Sequence, residues 1–135
     1  MEVEELKTGY VLYARKSSEA EERQALSIDS QVKETLEFAR QQGLNVLEVK
    51  QESHSAKETG KRPVFNEMLA EVRSGKFQGI VTWAPDRLSR NAGDLGAIVD
   101  LMDTKLLHSI RTPSQKFTDS PSDKFLLMIL CSHCE

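Results

Sequence analysis

Residues 79–91 constrain the fold of this chain most, because they join an apolar run to a charged turn. Residues 80–83 form a short apolar run that is typical of a buried β-strand. Pro85 has no N–H to donate and disfavours helical dihedral angles at Ala84, so the strand is expected to end there. Asn91 is a suitable N-cap for a following helix. The segment therefore predicts a strand, a loop and a helix in succession.

Three charged side chains fall in this predicted loop, namely Asp86, Arg87 and Arg90. In open α/β sheets, ligands bind at the carboxyl ends of the strands. Guanidinium groups match phosphate oxygens in geometry and remain charged at any working pH. The two arginines therefore indicate a phosphate-binding site, although a solvated surface turn has the same composition.

The rest of the chain alternates apolar runs of strand length with segments of helical periodicity. Further strands are predicted at residues 9–14, 44–49 and 105–111. Helices are predicted to start near Ser27, Pro63, Ala92 and Ser120. The 135 residues, 39% of them hydrophobic, are enough for one core. We therefore predict a single α/β domain over residues 1–135, with a mostly parallel central sheet of about four or five strands and helices on both faces.

Two of the predicted helices carry specific expectations about burial. The helix from Ser27 is expected to bury one face made of Ile28, Val32, Leu36 and Ala39. Residues 125–130 are apolar on every side of a helix. That run must be buried, either within this domain or against another chain.

The charge and hydropathy of the chain restrict its partners and location. A net charge of −3 argues against contact with nucleic acid over the whole surface, so a phosphate-binding face must be a local basic patch. No apolar run approaches the length of a membrane span, and the acidic residues 1–5 are not a signal peptide. We therefore expect a cytoplasmic protein without a membrane partner.

Residues that can carry chemistry follow each of the first three predicted strands. Arg15 and Ser17 follow the first strand, Glu52 and Arg62 lie in the loop after the second, and Asp86, Arg87 and Arg90 follow the third. The carboxyl ends of parallel strands share one edge of a sheet, so we expect these groups to converge.

Four short motifs match one family in order and spacing. Residues 13–17, Tyr-Ala-Arg-Lys-Ser, resemble the Tyr-x-Arg-x-Ser motif of the serine recombinases, the resolvase and invertase family. Residues 86–91 resemble that family's Asp-Arg-Leu-x-Arg motif, and residues 26–31 resemble the start of its first helix, which bears a glutamine. Residues 52–63 resemble the second loop of the large serine recombinases and their transposon-borne relatives. The match covers about residues 9–130, and four motifs in register are specific.

The resemblance implies site-specific DNA recombination or integration by a phage or transposon enzyme, through a covalent phosphoserine intermediate. It implies that Ser17 is the nucleophile and that the scissile phosphate is surrounded by Arg15, Arg62, Arg87 and Arg90. It further implies that Asp86 and Gln31 orient the site, with Tyr13 and Glu52 in supporting positions. The implied partners are a duplex recombination site and, in the full-length protein, a homodimer and tetramer.

The same resemblance bears on domain organisation and on one site-distant position. Members of the family continue past this point with a long dimerisation helix and a DNA-binding domain. We therefore expect residues 1–135 to be a catalytic domain truncated within that helix, without the DNA-binding domain. Gln78 stands where many members have an aspartate, so a supporting hydrogen bond is expected to differ.

Elementary chemistry agrees with this assignment. A serine hydroxyl is a weak nucleophile without a base, a metal ion or strong electrostatics. No histidine of the chain lies in a Gly-x-Ser-x-Gly motif, and no paired carboxylates adjoin the arginines. A guanidinium cluster can stabilise the charge that develops on phosphate oxygens. A phosphoserine ester also retains the energy of the phosphodiester bond, so we expect no ATP, cofactor or metal ion.

Alternatives stay open for several residues and for the function. Ser18 competes with Ser17 as nucleophile, and Arg62 can instead pair with a neighbouring glutamate on the surface. Cys131 and Cys134 flank a serine and a histidine, but no second ligand pair exists, so incidental thiols are expected. Two other function classes remain: a non-catalytic, self-associating module of the same fold, and a small phosphate-binding enzyme that acts on nucleotides.

Overall fold

The computed structural model describes residues 8–15, 27–52, 63–88 and 92–132, and only the main chain at Asp86, Ala92 and residues 130–132. The strands are β1 (Gly9–Arg15), β2 (Asn45–Glu52), β3 (Gly79–Thr82), β4 (Ser109–Arg111) and β5 (Lys116–Phe117). The helices are α1 (Ile28–Gln42), α2 (Pro63–Ser74), α3 (Pro85–Leu88), α4 (Ala92–Asp103) and α5 (Pro121–Ser132). Among the helices of these ranges, none is long and apolar enough to cross a membrane.

The described strands form one five-stranded sheet in the order β2-β1-β3-β4-β5. β1 pairs in parallel with β2 and β3, and β3 pairs in parallel with β4. β5 adds to β4 in the antiparallel direction. The predicted α/β class and mostly parallel sheet are therefore confirmed.

Side chains of successive strand residues point to opposite faces, so the sheet has an apolar core on each side. One core joins Val11, Tyr13, Ile80 and Ile110 to buried residues of α2, α4 and α5. The other joins Tyr10, Leu12 and Val81 to partly buried residues of α1. Helices thus cover both faces of the sheet, as predicted.

The face that α1 turns toward the sheet contains three of the four predicted residues. Ala39 is buried, and Ile28 and Val32 are half-buried against the core, whereas Leu36 is 38% exposed. The same face also buries Gln31 and Thr35, which the apolar pattern did not indicate. The side-chain amide of Gln31 donates to the main-chain carbonyl of Arg15 in β1. The ends of α1 agree with prediction, with Ser27 as the N-cap and Gly43 in the left-handed conformation at φ 72°.

Three further boundaries differ from the predicted ones. β3 ends at Thr82, and α3 occupies the predicted loop because Pro85 is favourable as the first residue of a helical turn. In the predicted strand 105–111 only Ser109–Arg111 pairs, because the chain turns at Lys105, whose φ is 68°. β2 runs on to Glu52, beyond its predicted end.

Gln78 ties together the amino ends of three strands. Its side-chain oxygen accepts from the N–H of Gly9 at 3.0 Å, and its main-chain N–H donates to the carbonyl of Gly9 at 2.9 Å. Its own carbonyl accepts from the N–H of His108 at 2.7 Å. A glutamine therefore supplies a hydrogen bond here through an amide oxygen, where an aspartate would use a carboxylate.

The apolar run of α5 is divided between the domain and its surface. Leu127 is fully buried in the core beside α4, whereas Phe125, Leu126, Met128 and Ile129 are between 41% and 65% exposed. We call these four residues the exposed face of α5. The helix starts as predicted, because the hydroxyl oxygen of Ser120 accepts from the N–H of Asp123 at 3.2 Å. Burial within the domain thus accounts for only one residue of the described run.

Candidate active site

The candidate site lies where the carboxyl ends of β1 and β3 meet. These strands are neighbours in the sheet, but the chain visits β2, on the far side of β1, between them. This change of direction is a topological switch point, which leaves a crevice at the strand ends. Arg15 is the last residue of β1, and Arg87 lies in α3, directly after β3. The structure therefore brings together the charged ends of the first and third strands.

A hydrogen bond between the two segments joins these arginines. The Nε–H of Arg15 donates to the main-chain carbonyl of Arg87 at 3.1 Å. Arg15 is 1% exposed and Arg87 is 6% exposed. Burial of a charged group is costly unless a counter-charge or hydrogen bonds compensate it. Two such cations at neighbouring strand ends create a positive local potential that favours an anionic ligand.

Two side chains hold the end of β1 through its main-chain carbonyls. The amide of Gln31 donates to the carbonyl of Arg15 at 3.1 Å. The hydroxyl of Thr82 donates to the carbonyl of Tyr13 at 2.8 Å. Sequence reasoning placed Gln31 near the site but missed Thr82. The available signal was a hydroxyl residue at the end of the otherwise apolar strand β3.

Glu52 connects β1 to the start of α2. Its carboxylate accepts from the hydroxyl of Tyr13 at 2.9 Å, the N–H of Phe65 at 2.7 Å and the N–H of Val64 at 3.1 Å. A carboxylate at a helix N-terminus satisfies free N–H groups and suits the helix dipole. The ring of Tyr13 packs edge-on against Phe65 at 5.8 Å. Tyr13 is thus a core residue with a polar end, and Glu52 fixes where α2 begins.

Several predicted site residues lie outside the described parts of the chain. Ser17, Arg62 and Arg90 belong to this group, as does the side chain of Asp86. Only their positions in the sequence relate them to the site. Ser17 lies two residues after Arg15, Arg62 directly precedes α2, and Arg90 lies two residues after α3. The competing Ser18 and the side chains of Cys131 and Cys134 are outside the described set as well.

An ion-pair network next to the site fastens α2 to β2. The ammonium group of Lys50 lies 2.9 Å from Glu48, 3.1 Å from Glu71 and 3.5 Å from Glu67. Burial alone would lower the pKa of Lys50, but its bonds to Glu48 and Glu71 outweigh burial and raise it. The bonds from Lys50 and Lys76 lower the pKa of Glu48. Within the described residues, no group of three or more His, Cys, Asp or Glu side chains is arranged to hold a metal ion.

Comparison with known proteins agrees with this geometry. The family described as the N-terminal domain of resolvase matches residues 10–133. The N-terminal catalytic domain of TP901-1 integrase superposes with a TM-score of 0.68 at 19% identity, over 93% of each chain. A resolvase family site-specific recombinase from Streptococcus pneumoniae gives 0.65 at 21% identity, over 94% of this chain and 85% of the other. The C-terminal catalytic domain of IS1535 TnpA, an IS607-like serine recombinase, gives 0.57 at 28% identity, over 76% of this chain and 69% of the other.

The fold and the match to the family define the class of this protein. The class is the catalytic domain of serine recombinases, which shares this α/β architecture. The chain belongs to the resolvase family, as its four motifs predicted. Its general function is site-specific DNA recombination.

Proposed function

We propose that this domain cleaves and rejoins DNA strands through a covalent phosphoserine intermediate on Ser17. The observation that carries the proposal is the bond from the Nε–H of Arg15 to the carbonyl of Arg87 at the switch point. It joins the strand end that leads into Ser17 to the turn that bears the second arginine motif. A nucleophile and a cationic phosphate site are then delivered by adjacent strands.

The proposed step is a phosphoryl transfer that exchanges one ester for another. The hydroxyl oxygen of Ser17 attacks the scissile phosphorus and loses its proton. The bond from phosphorus to the departing sugar oxygen breaks, and that oxygen takes up a proton as a free hydroxyl. Rejoining is the reverse reaction with the hydroxyl of another strand. No bond energy is lost to water, so the cycle needs no external energy source.

The arginines stabilise the charge that grows on the phosphate oxygens during this transfer. Arg15 and Arg87 supply two guanidinium groups at the strand ends, and Arg62 and Arg90 are proposed as the others. Asp86 and Gln31 are proposed to orient the site. The bond from Gln31 to the carbonyl of Arg15 supports that role for Gln31.

Tyr13 and Glu52 are proposed to support the site through α2. The carboxylate of Glu52 accepts from the N–H groups of Val64 and Phe65, at the start of the helix that follows Arg62. The start of α2 is thereby fixed relative to the end of β2. The hydroxyl of Tyr13 ties the same carboxylate to β1.

Duplex DNA and further copies of the chain are the proposed partners. Strand exchange requires cleaved ends to be held together, and the exposed face of α5 supports assembly into a dimer and a tetramer. The same face favours one second candidate function, a self-associating module without catalysis. The two candidates differ in whether a covalent DNA adduct forms.

Adduct trapping tests the proposed function directly. Residues 1–135 are incubated with a pool of nicked duplexes of randomised sequence, and protein–DNA adducts are separated on a denaturing gel. We expect a low yield of adduct, whose peptide map places the phosphodiester on Ser17. The Ser17→Ala variant should abolish it, and the matched Ser18→Ala variant should retain it. An adduct lost only in Ser18→Ala would move the nucleophile, and a folded wild type that forms none would favour the non-catalytic module.

A further inference from the structure

We propose that Thr82 is a positioning residue for strand cleavage. It belongs to none of the motifs that resemble the family, and it lies at the end of β3. The inference rests on the proposed function, because it concerns how the end of β1 is held for the transfer to Ser17. Thr82 acts through the main chain of β1 and does not contact the phosphate.

The geometry of the β1–β3 pairing explains why Thr82 occupies a special place. In the parallel register of the two strands, the last pair is Tyr13 with Thr82. β1 continues to Arg15 in register with β2, while the chain of β3 turns away into α3. The hydroxyl of Thr82 donates to the carbonyl of Tyr13 at 2.8 Å. This side-chain bond reinforces the last residue of β1 that pairs with β3.

The bond is buried and directed at the backbone, which separates positioning from substrate contact. Thr82 has no exposed surface. Its hydroxyl proton is committed to a carbonyl of β1. Loss of the hydroxyl therefore alters the support of the strand end, two residues before Arg15, without removing a group that faces a ligand.

Two other bonds hold the same strand end, so the effect of Thr82 should be graded. Gln31 holds the carbonyl of Arg15, and the Nε–H of Arg15 holds the carbonyl of Arg87, both at 3.1 Å. With these in place, the end of β1 shifts but does not detach when Thr82 is altered. A displacement of about 1 Å near reacting groups costs about 100-fold in rate. We expect a partial displacement and a loss of about tenfold.

Three substitutions separate the hydroxyl from the rest of the side chain. Thr82→Val keeps the branched shape and removes the donor. Thr82→Ser keeps the donor and removes a buried methyl group. Thr82→Ala removes both and serves in place of the valine variant if that variant does not fold. A merely structural residue would rank these variants by stability, whereas a positioning residue ranks them by the hydroxyl.

A matched control is a hydrogen bond near the opposite end of β1. The hydroxyl groups of Tyr10 and Ser109 share a buried hydrogen bond of 2.8 Å. Ser109→Ala removes one buried hydroxyl bond to β1, as Thr82→Val does, but far from the strand end that carries Arg15. It should lower the melting temperature comparably and leave the rate of adduct formation unchanged.

The experiment measures adduct formation on the nicked duplex pool and the Nε–Hε NMR signal of Arg15 in each variant. We expect Thr82→Val to slow adduct formation about tenfold and to shift the Arg15 signal. Thr82→Ser should stay within about twofold of wild type, with an unshifted signal. Equal slowing in the serine and valine variants, or an unshifted Arg15 signal in Thr82→Val, would overturn the inference alone. A folded wild type that forms no adduct would overturn the proposed function, and with it any role of Thr82 in cleavage.

Discussion

At the residue scale, the site is organised by bonds from side chains to main-chain carbonyls. Gln31, Thr82 and Arg15 each donate to a carbonyl of another segment, at 3.1, 2.8 and 3.1 Å. Main-chain carbonyls move less than side chains, so these bonds hold the neighbouring segments in place more firmly than bonds between two flexible side chains. The side chain of Arg15 is thereby held in place by the fold, which suits its proposed part in electrostatic stabilisation of a transition state.

Arg87→Ala tests the contribution of one such cation. We expect adduct formation to fall about 100- to 1,000-fold, the usual cost of deleting one preorganised donor to a transition state. The loss should appear in the rate, measured under single-turnover conditions with excess protein. Arg73→Ala is the matched control, because Arg73 is an exposed arginine in the last turn of α2. Near-normal cleavage by Arg87→Ala, with thermal stability intact, would contradict the assignment.

Glu52→Gln tests the link between β1 and α2. The carboxylate serves three donors, and an amide leaves at least one of them facing an N–H group. We expect a loss of about 2 kcal/mol in the free energy of unfolding, measured by urea titration. Tyr13→Phe, which removes one of the three donors, should lose about 1 kcal/mol.

The control for this series is Glu37→Gln, because Glu37 forms an exposed ion pair with Arg40 on α1. Exposed pairs contribute about 0–1 kcal/mol, so its effect should be clearly smaller than that of Glu52→Gln. Equal losses in the two variants would show that the carboxylate of Glu52 does not hold α2.

At the element scale, local patterns predicted most of the fold, and tertiary contacts decided the remainder. The alternation of strands and helices follows from short hydrophobic periods in the sequence. The helix ends follow from single cap residues such as Ser27, Gly43 and Ser120. The burial of Gln31 in α1 is not a local property, because its partner is the carbonyl of Arg15 in β1. β5 has two residues and exists only through its pairing with β4, so no period can reveal it.

The same distinction applies to the candidate site. Motif spacing and strand order placed Arg15 and Arg87 at strand ends, since both are properties of sequence and topology. The role of Thr82 was hidden, because its partner is a carbonyl and therefore carries no side-chain signature. Glu52 was found by resemblance, but its three donors come from Tyr13 and α2, which only the folded chain brings together.

The join between β5 and α5 gives a pH-dependent contribution to stability. The main-chain N–H and the hydroxyl of Thr118 donate to the carboxylate of Asp123 at 2.9 and 2.8 Å. These bonds lower the pKa of Asp123 below its ordinary value of 3.8. Because the folded-state pKa is the lower one, the contribution is fully present above the ordinary value. It is lost as the pH falls through the lowered value.

Asp123→Asn should therefore destabilise the domain most near neutral pH and progressively less below about pH 4. Melting temperatures of both proteins between pH 7 and pH 3 measure this difference. Asp100→Asn, on the exposed side of α4, is the control and should show little change across the range. A difference in melting temperature for Asp123→Asn that is constant with pH would show that ionisation of Asp123 does not contribute to stability.

At the scale of the whole molecule, α5 is the element on which the proposed self-association rests. Its buried side is anchored by Leu127, and ion pairs link Lys124 to Asp103 and Lys105 to Asp119 around its start. Its exposed face collects four large apolar residues, an unusual feature for a surface in water. The helix is thus buried on one side and exposes large apolar side chains on the other.

Met128→Asp and Leu127→Asp separate these two sides. Met128 is exposed and Leu127 is fully buried. Met128→Asp should weaken self-association about tenfold or more in sedimentation velocity and leave the melting temperature nearly unchanged. Leu127→Asp should unfold or strongly destabilise the domain, because it buries a charge in the core. A wild type that stays monomeric at high concentration, with Met128→Asp identical to it, would rule out this face as an interface.

The anchor of Arg15 has a consequence for mutational change at the neighbouring position. Its Nε–H rests on the carbonyl oxygen of residue 87, an atom that every amino acid possesses. Exchange of the side chain at position 87 therefore leaves the acceptor for Arg15 in place, and the two positions can vary with little epistasis through this bond. Proline is the exception, because the N–H of Arg87 donates to the carbonyl of Ala84 in the same turn. A library at position 87 would thus vary the proposed phosphate contact and keep the acceptor for Arg15.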